Sequence, residues 1–81
     1  MKYLFYVTRI TFMSYLLIFD IKREKPSLRV KVNRMLNSIK ARLLQDSVWE
    51  FEDLKELKRI ANFIRSEGGK ALLFKKVRVS E

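Results

Sequence analysis

The chain has no cysteine and no histidine among its 81 residues. Without cysteine there is no disulfide and no thiolate–zinc framework. Without histidine, the Ser-His and Cys-His nucleophile pairs, imidazole general bases and most transition-metal sites fall away. Any chemistry must rest on carboxylates, lysines, tyrosines, hydroxyls or a hard metal ion held by oxygen. Backbone punctuation is scarce too: one proline, Pro26, and one glycine pair, Gly68-Gly69. There is no uninterrupted apolar run long enough to span a bilayer. The first nineteen residues are mostly apolar, but Arg9 breaks them and Asp20 closes them. A spanning helix needs about 20 apolar residues, and an arginine near its centre is costly. No small-residue cleavage site follows. Neither a membrane anchor nor a signal peptide is expected, and the cytoplasm is the expected location.

What is present is positive charge. Eighteen Lys and Arg stand against nine Asp and Glu, a net charge of +9. Residues 1–44 carry ten of the cations against only Asp20 and Glu24, a balance of +8; residues 45–81 carry eight cations against seven acids, a balance of +1. This asymmetry exceeds what solubility requires and points to one face built for a polyanion, with nucleic acid first and an anionic membrane surface second. The length allows one small domain. Such a chain buries roughly 60–65% of the surface its unfolded form exposes, so oligomerisation is a natural remedy.

The run Tyr15-Leu16-Leu17-Ile18-Phe19-Asp20-Ile21 reads as a buried strand that ends on a carboxylate. A charged loop follows, Lys22-Arg23-Glu24-Lys25, and Pro26 opens a helix at its first turn. Leu28, Val32, Met35, Leu36 and Ile39 lie along one face of that helix, with Arg29, Lys31, Arg34 and Lys40 off it. The segment Ala41–Phe51 favours strand. Gln45-Asp46-Ser47 makes it either a hairpin or one bent strand. A second helix is expected from about Glu52 to Ser66, with Glu52 and Asp53 in the first turn and Arg65 in the last, matching the helix dipole. Its inner stripe is Leu54, Leu57, Ile60, Ala61 and Ile64, and Gly68-Gly69 stops it. Residues 70–79 then read as a last strand with an edge-like alternation of basic and apolar residues. The order strand, helix, hairpin, helix, strand is the βαββαβ pattern of an α+β, ferredoxin-like sandwich, with two helices on one face of an antiparallel sheet.

Four pieces of the chain resemble the CRISPR-associated family Cas-two, the small ferredoxin-like subunit of spacer acquisition. They are the strand Tyr15-Leu-Leu-Ile-Phe-Asp20-Ile21, the helix opening at Leu28-Arg29-Val30, the block Arg42-Leu-Leu-Gln45-Asp-Ser47-Val48-Trp49-Glu50-Phe51, and the Gly68-Gly69 turn into a final strand. Together they cover residues 15 to about 77. Against the family pattern, residues 1–12 are an N-terminal extension before a domain of residues 13–81, with Met13 as an alternative natural start. The family's further C-terminal strand is short, merged or missing here.

The resemblance implies a homodimer with two Asp20 carboxylates facing across a two-fold axis, holding Mg²⁺ or another divalent cation. It implies a metal-dependent endonuclease acting on RNA or DNA in antiviral defence, with an integrase subunit as partner. It equally implies a non-catalytic adaptor that bridges integrase subunits and grips duplex DNA. A toxin-like or regulatory domain on the same fold is the third reading, because this fold hosts many functions. Asp20 is the expected metal ligand and catalytic residue, although an Asp after a strand is also an ordinary turn or capping residue. Ser47 matches the family's serine and would bond a phosphate or a metal-bound water; a plain turn serine reads equally well. Arg29 and Arg42 match basic family positions and offer planar forks for phosphate. Lys22, Arg23 and Lys25 flank Asp20 as phosphate holders or as a solvated loop. Trp49 and Phe51 share one side of a strand, placed for the core, a dimer interface or base stacking.

Overall fold

A computed structural model of the chain describes residues 14–77. The extension of residues 1–12, Met13 and the expected strand residues 78 and 79 lie outside the described residues. The elements are β1 (Ser14–Asp20), α1 (Pro26–Ser38), β2 (Arg42–Gln45), β3 (Val48–Phe51), α2 (Leu54–Ser66) and β4 (Lys70–Lys76). The sheet order is β2-β3-β1-β4 and every neighbouring pair is antiparallel. This is the ferredoxin-like α+β fold.

Alternation along the strands sorts the sheet into two faces. Leu17 and Phe19 of β1, Trp49 of β3 and Ala71 of β4 turn towards the helices and are buried. Leu28, Val32 and Leu36 of α1, with Leu57, Ile60, Ala61 and Ile64 of α2, close over them. Phe51 packs against this core partly buried. The pair Trp49 and Phe51 is therefore core rather than a stacking platform. Burying each large side chain contributes about 1.5–3 kcal/mol.

Between β2 and β3 the chain turns at Asp46-Ser47, so the hairpin is the alternative that forms. Ser47 takes a left-handed φ of 65°. Helix α2 starts two residues later than its acidic residues imply. Asp53 stands outside the helix as its N-cap, and its carboxylate accepts the Lys55 backbone N–H at 3.0 Å. A short carboxylate satisfies an otherwise unpaired N–H better from the cap than from the first turn. Asp53→Ala is expected to cost about 1 kcal/mol in urea unfolding, whereas Asp53→Asn should cost little.

Both helices end in the same Schellman-type closure. In α2, Gly68 (φ 90°) donates to the Arg65 carbonyl and Gly69 to the Ile64 carbonyl. In α1, Lys40 takes the left-handed position (φ 65°) and donates to Asn37, while Ala41 donates to Leu36. No glycine marks the first of these turns, so the sequence carries no signal for it.

Candidate functional site at the carboxyl end of the first strand

Strand β1 is central in the sheet, and Asp20 is its last residue. Three connections frame that end. The Asp46-Ser47 turn lies alongside, because the Phe19 N–H donates to the Ser47 carbonyl at 3.1 Å. The glycine turn after α2 lies against it on the other side: a Cβ on Gly69 would stand 3.2 Å from the Asp20 carbonyl. The loop from Ile21 to Lys25 closes the third side. Ile21 is buried and anchors this loop in the core.

Two of the expected phosphate-binding cations turn out to hold the frame. Arg29 donates from Nη2 to the Ile21 carbonyl at 2.9 Å, and Lys25 donates from Nζ to the Glu67 carbonyl at 2.6 Å. The loop is thereby tied to α1 on one side and to the end of α2 on the other. Lys22 and Arg23 are exposed, and neither makes a side-chain bond among the described residues.

Asp20 is exposed, and its register partner on β4 is Lys70. Its position in the alternation places it with Leu16 and Ile18 on the face away from the helices. That open face has an apolar centre. Val48, Ile18 and Leu72 align across β3, β1 and β4, and Phe74 aligns beside Leu16. Leu72 and Phe74 are 58% and 47% exposed. The face thus runs from Asp20 and Lys70 at one end, over an apolar middle, to a charged cluster at the other.

That cluster centres on Glu50, which sequence reasoning did not single out. Glu50 accepts from Ser14 Oγ at 2.7 Å, from Lys76 Nζ at 2.8 Å and from Arg42 Nε at 3.4 Å. Arg42 also pairs with Glu52. One carboxylate on β3 therefore ties β1, β2 and β4. The Lys76 and Ser14 hydrogen bonds, aided by the nearby charges, hold its pKa well below the usual carboxylate range, at about 2. The alternation Val48-Trp49-Glu50-Phe51 is the signal that was available, since it turns Glu50 away from buried Trp49. Arg42, an expected phosphate clamp, stands in this cluster at the far end of the open face from Asp20.

The structure thus brings Asp20, the Ser47 backbone and the Lys22–Lys25 loop to one end of the sheet. It does not bring Arg42 there. Among the described residues no three acidic side chains converge on a single point. The Asp20 carboxylate supplies hard oxygen donors of the kind Mg²⁺ prefers, but one chain does not complete such a site. No described helix is long and apolar enough to cross a membrane. No protein-family model matches the chain, and no curated protein matches it.

Proposed function

We propose that the chain is a Cas-two-like, metal-dependent endonuclease that works as a homodimer in spacer acquisition. The observation that carries the reading is the position of Asp20. A carboxylate without an ion pair among the described residues ends the central strand, on the same open face as Leu72 and Phe74. Pairing two copies through that face would cover the apolar centre and bring two Asp20 carboxylates to one shared surface.

Two Asp20 side chains would then hold a divalent cation such as Mg²⁺. When bound, that cation polarises a phosphoryl oxygen and makes a bound water more acidic. Lys22 and Arg23 are exposed beside Asp20 and would hold the phosphates of RNA or DNA. The Ser47 hydroxyl would hydrogen-bond a phosphate oxygen. Arg29 and Lys25 act one step back, by fixing the loop through the Ile21 and Glu67 carbonyls.

The second reading is the non-catalytic adaptor between integrase subunits. It is favoured by the exposed cations Lys22 and Arg23 beside Asp20, which suit gripping a backbone without cutting it. Cleavage of labelled single-stranded RNA and duplex DNA separates the two. Wild-type dimer with Mg²⁺ is expected to cleave, EDTA to stop it, and Asp20→Ala to lower the rate at least 100-fold. Equal activity in the variant, or none in wild type, would remove the catalytic role of Asp20 and leave the adaptor.

A further inference from the structure

Among the described residues the sheet has two open edges, β2 on one side and β4 on the other. An edge strand presents unpaired backbone N–H and C=O groups to any strand that comes alongside. The two edges differ in charge. Strand β4 carries Lys70, Lys75 and Lys76. A second copy of β4 laid antiparallel about Leu73 would set Lys70 against Lys76 on both sides of the axis, and like charges directly opposite are destabilising. Strand β2 has one cation, Arg42, which is already paired with Glu50 and Glu52.

The rest of β2 is apolar and uncovered. Leu43 is 58% exposed and Leu44 46%. Leu43 aligns with buried Trp49 and so lies on the helix side of the sheet, yet β2 makes its main contacts with β3 and neither helix packs extensively on it. Exposed leucines on an edge strand invite pairing with another chain. The irregularity between Leu43 and Gln45 shortens the edge but leaves this apolar surface in place. The charges that flank the strand are symmetric about Leu43. Lys40 lies three residues before it and Asp46 three residues after it. Both are exposed, and neither has an ion pair among the described residues.

We propose that the β2 edge pairs with the β2 edge of a second copy of this chain, antiparallel, with Leu43 on the two-fold axis. Leu43 then meets its own copy, Arg42 lies opposite Leu44, and Lys40 faces Asp46 on both sides of the axis. The exposed leucines are covered and opposite charges meet. Two four-stranded sheets become one continuous sheet. A second copy fits this edge because the order cation, leucine, anion is self-complementary when read antiparallel. The lysines of β4 deny that edge the same pairing. The contact uses only the edge, so the open face with Asp20, Leu72 and Phe74 stays free. The inference therefore stands apart from metal chemistry and from pairing through that face. Where both contacts form, dimers join edge to edge into larger assemblies.

The test is disulfide trapping in full-length protein. The chain has no cysteine, so Leu43→Cys introduces a single thiol. Residues directly opposite in an antiparallel pair have Cα atoms about 4.5–5.5 Å apart, within reach of a disulfide. Mild oxidation of Leu43→Cys is expected to give a covalent dimer on a non-reducing gel, and Lys58→Cys, exposed on α2, to give little. In the Leu43→Cys background, Lys40→Glu and Asp46→Lys each set like charges opposite and should lower crosslinking by roughly fivefold. The two changes together exchange the pair and should restore it. Circular dichroism should be unchanged in every variant, since all three positions are exposed. Crosslinking of Leu43→Cys no greater than that of Lys58→Cys overturns the proposal and leaves the edge to a different partner. Charge reversals without effect overturn the pairing of Lys40 with Asp46. Asp20→Ala should leave crosslinking as it was, so failure of the nuclease reading is read separately.

Discussion

Glu50→Ala is expected to destabilise the domain by about 2–3 kcal/mol at neutral pH, a large effect for a residue on the face of the sheet away from the helices. Glu50 is 7% exposed, and its carboxylate joins side chains from the other three strands. Removing it leaves the Ser14 hydroxyl and the Lys76 ammonium without their acceptor and Arg42 with only Glu52. Breaking a buried pair costs about 3–5 kcal/mol. The figure here is smaller because Lys76 and Arg42 are themselves nearly half exposed, so water takes up part of the loss. A domain of this size has a total stability of roughly 4–12 kcal/mol, so the change consumes a sizeable part of it. Urea unfolding of wild type, Glu50→Ala and Lys76→Met, with the double variant, measures the coupling. A coupling near zero would mean that the cluster is geometry without energy.

The same group sets an acid limb. The folded carboxylate has a pKa lowered from 4.5 to about 2. It releases its proton more readily than the unfolded one, so its stabilisation is complete above pH 4.5 and disappears as the pH falls towards 2. The loss expected over that window is about 1–2 kcal/mol, less than the full shift implies, given the solvated partners. Stability curves of wild type and Glu50→Gln should converge as the pH falls. Parallel curves would assign the acid limb to other carboxylates.

Period-based patterns made the architecture readable. The strand alternation around Leu17 and the helical stripe Leu28, Val32, Leu36 survive into the core unchanged, because burial acts on the same spacing that the pattern expresses. The same spacing puts Asp20 at the end of β1. What escaped depends on contacts between distant residues. Glu50 meets Ser14 and Lys76, 36 and 26 positions away, only through the strand register. Arg29 reads as an outward cation from periodicity, yet its long side chain folds back eight residues to the Ile21 carbonyl. Counting charge along the chain also misses that α2 itself carries Lys55, Lys58, Arg59 and Arg65 against Glu56 alone.

Gly69→Ala is expected to destabilise the domain by about 2–3 kcal/mol, and more than Gly68→Ala, although only Gly68 has a positive φ. The two glycines are needed for different reasons. At Gly68 the backbone is left-handed, and an alanine there costs about 1–2 kcal/mol in local strain. The space is open, however: an added Cβ would meet only the flexible Lys25 Nζ at 3.4 Å. At Gly69 the obstacle is packing. An added Cβ would lie 2.7 Å from Ile64 Cγ2 and 3.2 Å from the Asp20 carbonyl. Ile64 is completely buried, so its methyl group has nowhere to go. The turn must instead retreat from the end of β1, straining the Gly69-to-Ile64 hydrogen bond that closes α2. That retreat is felt at Asp20, so a catalytic Asp20 predicts that Gly69→Ala loses cleavage by more than its folded fraction explains, while Gly68→Ala loses it only in proportion. Thermal unfolding of the two variants gives the stability order, and cleavage under conditions where both are folded gives the second comparison. A Gly69→Ala protein as stable as wild type would show that helix and strand can separate there without cost, and the close approach of Gly69 to Asp20 would then carry no constraint on the site.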